Sequence, residues 1–350
     1  MAGNTYGKLY KITTWGESHG KALGVIIDGC PPNIPLSELD IQKEVDKRKP
    51  NSSASTSRKE ADKIEILSGI FNGKTTGTPI SIIVFNKDQK SSDYNNIKDL
   101  FRPGHADYTY ELKYGIRDYR GGGRSSGRET VSRVMAGAIA KKILKEKQKT
   151  EIFGHTIQIG DILAKKFDKK HLEKSELKCA DEKAEKEMLK LINKAKAAGD
   201  SVGAIVEIVI KNPPKGLGEP VFDKLDAELA KAMMSIGAVK GVAFGSGFDS
   251  VLKKGSKNND QMTAKNKFLS NNSGGILGGI STGEDIVIKL AVKPVSSISI
   301  PQQTISKSGK SVMIKTLGRH DICLAPRIIP VAESMAALVI LDFLLQKKTF

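Results

Sequence analysis

Six of the ten arginines, Arg102, Arg117, Arg120, Arg124, Arg128 and Arg133, fall within 32 residues of a 350-residue chain. A guanidinium is a planar fork suited to oxyanions, whereas the 46 lysines are scattered point charges on flexible stems. The densest part reads Arg117-Asp-Tyr-Arg-Gly-Gly-Gly-Arg-Ser-Ser-Gly-Arg-Glu129. Consecutive glycines free the backbone to turn N–H groups into a concavity, and a helix starting behind them points its positive end the same way. Four arginines around one turn repel each other unless an anion sits among them, so the segment predicts an oxyanion site. Ser126 and Glu129 also have the S-x-x-E spacing of a capping box.

Three histidines stand in turns with chemically useful neighbours: His19 in Gly16-Glu-Ser-His-Gly20, His105 in Arg102-Pro-Gly-His-Ala-Asp107, and His320 in Gly318-Arg-His-Asp321. A histidine beside a phosphate dianion is favoured in its charged form and can act as a general acid near neutrality. His155 and His171 have no such setting. Two late segments, Lys293-Pro-Val-Ser-Ser297 and Gly318 to Arg327, combine cations, hydroxyls and a carboxylate.

Common alternatives fail on spacing. Gly122-Gly-Arg-Ser-Ser-Gly127 is followed by Arg128-Glu129 and not by Lys-Ser/Thr, so it is no triphosphate loop. A dinucleotide fingerprint opening at Gly121 and Gly123 needs a third glycine where Ser126 stands. Cys30, Cys179 and Cys323 are far apart and form no C-x-x-C pair, which argues against a disulfide framework or structural zinc and for a reducing cytoplasm. The net charge of +17 invites a nucleic-acid reading, but 19 aromatics and no recognition motif disfavour it. The longest apolar run, Met335 to Leu341, is stopped by Asp342, so no membrane span and no signal segment is expected.

The elements that must position these groups read as strands at Gly24–Asp28, Ile64–Leu67, Ile80–Phe85, Val202–Ile210 and Asp285–Val292. Period-two alternation favours antiparallel sheets with one covered face. Helices are expected over Glu129–Lys147, Phe222–Met234 and Val331–Leu345, the last apolar on nearly every side and hence buried. The Lys/Glu-rich stretch Phe167–Ala198 reads as exposed helix. Strands and helices do not alternate, so the expectation is an α+β fold, residues 1–350 forming one domain with antiparallel sheets packed on buried helices.

Taken together, Thr13 to Gly20, Arg102 to Tyr110, Arg117 to Thr130 and Gly318 to Asp321 resemble, in order, the signatures of the chorismate synthase family. The resemblance runs from about residue 3 to residue 345. It implies a β-α-β sandwich, usually a tetramer, and the 1,4-anti elimination of phosphate from 5-enolpyruvylshikimate 3-phosphate with reduced FMN as cofactor. By the same resemblance His19 protonates the leaving phosphate and His105 sits at the flavin N1/O2 edge. Asp321, with Ser18 and Ser126, handles the proton taken by flavin N5. Arg48, Arg128 and Arg327 hold substrate carboxylates or phosphate. Arg124, Ser125, Ser126, Gly237, Ala238, Gly278, Lys293, Pro294, Val295, Ser296, Ser297 and Arg319 line FMN. Three positions depart from the family pattern: Ala54 where relatives have an arginine nearby, Gly127 for alanine, and Ile322 for proline. The missing arginine near position 54, with the chain's length and the missing fingerprint, predicts a monofunctional enzyme dependent on an outside source of reduced flavin. The rivals are a non-catalytic polyanion binder and an ordinary flavin oxidoreductase.

Overall fold

The computed structural model describes residues 3–49, 54, 62–86, 97–264, 267–316 and 320–347. Two five-stranded antiparallel sheets form the outer layers. The first runs in the order β1 (Thr5–Tyr6), β2 (Lys11–Gly16), β3 (Ala22–Asp28), β7 (Ile80–Phe85), β4 (Ile64–Ile66). The second runs β11 (Val239–Phe244), β16 (Ile286–Val292), β10 (Ala204–Lys211), β8 (Glu151–Ile159), β9 (Ile162–Leu163). Hairpins β5–β6 (Ile70–Phe71, Lys74–Thr75), β12–β13 (Met262–Thr263, Lys267–Phe268), β14–β15 (Ile276–Leu277, Ile280–Ser281) and β17–β18 (Gln302–Ile305, Ser311–Ile314) decorate the connections. Alternation decides which side chains enter the core: Ile80, Ile82 and Val84 from one sheet, and Ile286, Ile288, Leu290 and Val292 from the other, are buried.

The helices are α1 (Glu38–Asp46), α2 (Asp107–Tyr114), α3 (Thr130–Gln148), α4 (Lys169–Lys174), α5 (Glu182–Ala197), α6 (Leu225–Met234), α7 (Gly255–Asn258) and α8 (Ala325–Lys347). Between the sheets lie α3 and α8, packed on each other, α3 against β3 and α8 against β8 and β10. One contiguous apolar cluster joins both sheets through these helices, as expected for a β-α-β sandwich. Gly137 permits the close approach of the helices, since a Cβ there would lie 2.3 Å from the Ser334 Cβ. Lys141 on α3 is a partly buried cation held 2.7 Å from both Glu44 on α1 and Glu333 on α8. Burial alone would lower its pKa, but the two carboxylates push it up to about 12.

The expected strands and helices appear with shifted ends, and the differences have physical causes. Strands β2, β8 and β11 carry polar residues or an irregular register that hides the alternation; β8 shifts register opposite Ile205/Val206. The Lys/Glu stretch is not one exposed helix but two, each with an aspartate N-cap (Asp168, Asp181), and α5 buries Ala184, Met188 and Ile192. Helix α8 begins at Ala325, ahead of the expected Val331, because Pro326 is tolerated in a first helical turn; farther along, Ser334 donates to the Pro330 carbonyl, 2.7 Å away. Contrary to the expectation from the short apolar run, α8 is by length and composition apolar enough to cross a membrane, yet nearly all of that stretch is buried between the sheets.

Candidate functional site

After α2 the chain turns through Gly121, Gly122 and Gly123, all at positive φ (+69°, +91° and +55°). Two 3-10 turns, Gly123–Ser125 and Gly127–Glu129, then feed α3. This segment forms one wall of a cavity of about 630 Å³. The other walls come from Arg48 at the end of α1, Asp62, the turn at 102–106, residues 235–238 after α6, 293–297 after β16, and 320–331 where α8 begins. Among the described residues seven cations line it (Arg48, Arg102, Arg124, Arg128, Arg133, Lys293, Arg327) against three carboxylates (Asp62, Glu129, Asp321). The imbalance suits a ligand carrying several negative charges.

The arginines do not simply await an anion, as their spacing alone suggested. Arg117 binds Asp107 at 2.9 Å and donates to the carbonyls of Lys98 (2.8 Å) and Leu100 (2.7 Å), so it braces the 97–107 segment. Arg120 pairs with Asp118 at the surface. Neither lines the cavity. Arg124 donates to the Thr14 hydroxyl at 2.7 Å, and Arg128 to Asp62 at 2.5 Å and Asn86 at 2.8 Å. The fold supplies counterions from distant segments, and the cavity remains cationic after that pairing.

His105 faces the cavity on a tightly held turn. Arg102 donates to both oxygens of Asp107 (2.7 and 2.9 Å), and His105 Nδ1 lies 3.0 Å from Asp107 Oδ1 and 3.1 Å from Arg102 Nη2; because Arg102 is already spent on Asp107, we assign the proton to Nδ1, donating to Asp107. That assignment puts the free lone pair on Nε2, the edge of the ring that meets Gly122. Burial lowers the His105 pKa, and Arg102 and Lys293 add to this against the opposing pull of Asp107. These effects together favour the neutral imidazole. Burial would raise the Asp107 carboxyl, but hydrogen bonds from Arg102 and His105 hold it far below the usual carboxylate range. Lys293 Nζ (2.6 Å) and Ser296 Oγ (2.8 Å) both donate to the Gly104 carbonyl, fastening the turn to the 293–297 segment.

His19 is placed differently. It is buried and lies against the back of Gly121: a Cβ there would be 2.5 Å from Cδ2 and 2.6 Å from Nε2 of His19, and 3.0 Å from the Ser18 Oγ. His19 and Ser18 stand behind the glycine wall and not in the cavity lining itself. Ser125, Ser126, Gly237, Ala238, Pro294, Val295, Ser297, His320 and Asp321 do line it. Ala238 holds φ +73°, a left-handed value unusual for alanine, and its carbonyl accepts from the Lys293 N–H at 2.9 Å. Arg327 Nη1 meets Asp321 at 2.7 Å.

The capping box is only half made. Ser126 Oγ accepts from the Arg128 N–H at 3.3 Å, but Glu129 instead takes the Thr14 hydroxyl and Arg133, each at 3.0 Å. Gly278 sits in the β14–β15 turn outside the lining of this cavity, and Arg319 lies outside the described residues. Sequence reasoning missed Asp62 and Tyr110, which also line the site, as does Arg133. Arg133 carried a signal as a member of the arginine cluster, whereas Asp62 carried none. Two departures from the family pattern meet in space: the Ile322 N–H donates to the carbonyl of buried Ala54 at 2.8 Å, a bond that proline at 322 could not make.

Comparisons with known proteins agree with this geometry. The family model described as chorismate synthase matches residues 10–345. The chorismate synthase of Desulfatibacillum aliphaticivorans is 53% identical over 348 residues, covering 99% of this chain and 97% of its own. A solved structure described as a crystal structure of chorismate synthase superposes with a TM-score of 0.78 at 31% identity, covering 98% of this chain and 93% of that one. With the same antiparallel sandwich, and with motifs that build one cationic cavity, the chain belongs to the chorismate synthase family, enzymes of the carbon–oxygen lyase class acting on phosphates.

Proposed function

We propose that the chain converts 5-enolpyruvylshikimate 3-phosphate to chorismate by 1,4-anti elimination of phosphate and a C6 proton, with reduced FMN required and no net redox change. This is the last common step of the shikimate pathway to the aromatic amino acids. The observation that carries the reading is the single cavity that collects seven cations with His105, Ser126 and Asp321. Substrate and FMN are both polyanions, and neither a lone surface patch nor a simple oxyanion turn calls for so many fixed charges in one enclosure.

The lining also fits a flavin on chemical grounds. Arg124, Ser125, Ser126 and residues 293–297 offer donors suited to phosphate and ring heteroatoms, while Ile236, Pro294, Val295, Leu324, Ile328 and Val331 offer an apolar wall for a flat ring. Gly237 and Ala238 join that group, and Gly278 and Arg319 follow by resemblance. When bound, reduced FMN supplies transient electron density and a proton acceptor. Arg48, Arg128 and Arg327 orient the substrate's anionic groups. His105, with Nδ1–H fixed by Asp107, presents Nε2 to the ring edge. His19, buried behind Gly121, delivers a proton to the departing phosphate. Ser18, Ser126 and Asp321 carry the proton removed from C6.

The test is anaerobic incubation with photoreduced FMN and the substrate: chorismate and inorganic phosphate are expected in equal amounts, and no product under those conditions would overturn the reading. We further read the enzyme as a single domain, cytoplasmic and monofunctional, drawing reduced flavin from an external reductase, with no nucleic-acid or membrane partner. Sustained turnover on NADPH and oxidised FMN alone would show the opposite. A homotetramer follows from the resemblance, and the exposed side chains of Phe222, Phe248 and Leu252 are apolar surface that assembly would cover; sedimentation at micromolar concentration checks it.

A further inference from the structure

Arg133 lines the cavity, but the protein itself engages its guanidinium on both edges. From α3 its Nε donates to Glu129 Oε2 at 3.0 Å, while Nη1 donates to the Ser235 hydroxyl at 2.6 Å and Nη2 to the Ser235 carbonyl at 3.2 Å. Ser235 caps the C-terminus of α6 and opens the stretch 235–238, all four residues of which line the cavity. The last carbonyls of a helix lack intrahelical partners and carry partial negative charge, so a guanidinium from another element is well placed there. On the other side, Glu129 Oε1 accepts from the Thr14 hydroxyl at 3.0 Å, and that hydroxyl accepts from Arg124 Nη2 at 2.7 Å. One run of hydrogen bonds therefore crosses from Arg124 in the glycine turn, through Thr14 and Glu129, to Arg133 and the end of α6. Helix α6 packs on α8 and β11, and Arg133 joins its end to α3. The joined stretch is the one that holds Ala238 at φ +73°.

We propose that Arg133 is a positioning residue: it ties residues 235–238 to the arginine turn and so sets the spacing between two walls of the cavity. The proposal rests on the reading of this cavity as the seat of a flat, phosphate-bearing cofactor. A flat ring gains from an apolar wall only at contact distance, and a gap of about 0.5–1 Å already forfeits roughly a quarter to a half of that attraction. Arginine suits the tie because its planar fork spans a carboxylate and a serine at once, whereas the ammonium of lysine is a point charge. On this account Arg133 acts through the shape of the cavity and not by attracting the ligand's charge.

The test compares the full-length wild-type chain with Arg133→Lys, Arg133→Met and Ser235→Ala. Oxidised FMN is titrated into each and followed by flavin fluorescence. Arg133→Met and Arg133→Lys are both expected to weaken FMN binding by about tenfold, the factor that corresponds to one lost charge-assisted hydrogen bond. Ser235→Ala, which leaves the cation in place and removes only the hydroxyl, should weaken it by about threefold. Wild-type affinity in Arg133→Lys would mean that Arg133 attracts the ligand by charge alone and would overturn the proposal, as would wild-type affinity in Ser235→Ala. Hydrogen exchange in the ligand-free protein gives a second readout. The Val239 amide, which donates to the Ile236 carbonyl at 3.2 Å, should exchange about tenfold faster in both Arg133 variants, and unchanged exchange would also overturn the proposal. Ser235 is exposed, so Ser235→Ala decides the matter should an Arg133 variant not fold. Failure of the wild type to bind FMN would sink the functional reading, while the exchange rates would still decide the tie.

Discussion

The turns that carry His19 and His105 are alike in sequence, each framed by glycine and each near an acid, yet one faces the cavity and the other lies behind its wall. The His105 turn is braced by charge: Asp107 takes Arg102, Arg117 and the imidazole itself, and Lys293 and Ser296 grip the Gly104 carbonyl. At His19 the fit to residue 121 stands out, the ring lying where a Cβ there would have to go. A charge-braced group has its protonation set by its neighbours, whereas a shape-fitted group has its position set by what is missing.

Deleting the rings should have the largest effect. His19→Ala and His105→Ala are each expected to lower turnover by roughly 10²–10⁴-fold at saturating reduced FMN, with folding largely intact. Near-normal rates in both would end the assignment of either turn to proton chemistry.

A second contrast lies in the acids. Asp107 is buried with three partners, whereas Asp118 pairs with an Arg120 side chain that is 44% exposed. Urea melts should find Asp107→Asn destabilised by about 3–5 kcal/mol, because two buried arginines lose their charge partner. Asp118→Asn should lose no more than about 1 kcal/mol. Similar losses would mean that the His105 turn is not charge-braced.

Shape is tested by a pair of glycines. Gly115 and Gly121 share φ +69°, but an added Cβ meets nothing within 4 Å at 115 and meets His19 at 121. Both alanine variants should carry the left-handed backbone cost of roughly 1–2 kcal/mol. Only Gly121→Ala should also displace the ring, and turnover there should fall by about tenfold or more for the same loss of stability, since a small misplacement of a catalytic group is costly. Equal activities would break the shape argument.

The smallest effect is on titration. In the ligand-free protein His105 should titrate below the ordinary histidine value of about 6.5 when followed by NMR, and lower still in Asp107→Asn, which removes its main opposing pull. Because the folded value is depressed, the associated stability is present above the ordinary value and is lost as pH falls through the folded one. A midpoint at or above 6.5 would contradict the burial argument.

Much of this site was legible in the chain itself. Residue types and spacing put the arginine cluster, the triple glycine, the histidine turns and the 293–297 segment on the page, because local motifs are written in consecutive residues. The all-round apolar pattern of Val331–Leu345 foretold the buried helix between the sheets, since such a pattern has to be covered on every side. Tertiary structure alone decided how charges are shared. Arg117 and Arg120 look like anion ligands in sequence and prove to be braces on Asp107 and Asp118, while Asp62, with no motif around it, closes on Arg48 and Arg128 from 14 and 66 positions away. Folding likewise placed His19 behind Gly121 and joined Ile322 to Ala54. The physical reason is one of range: helix and turn preferences act over a few residues, whereas the partner of a buried charge is chosen by whatever the closed core brings within about 3 Å.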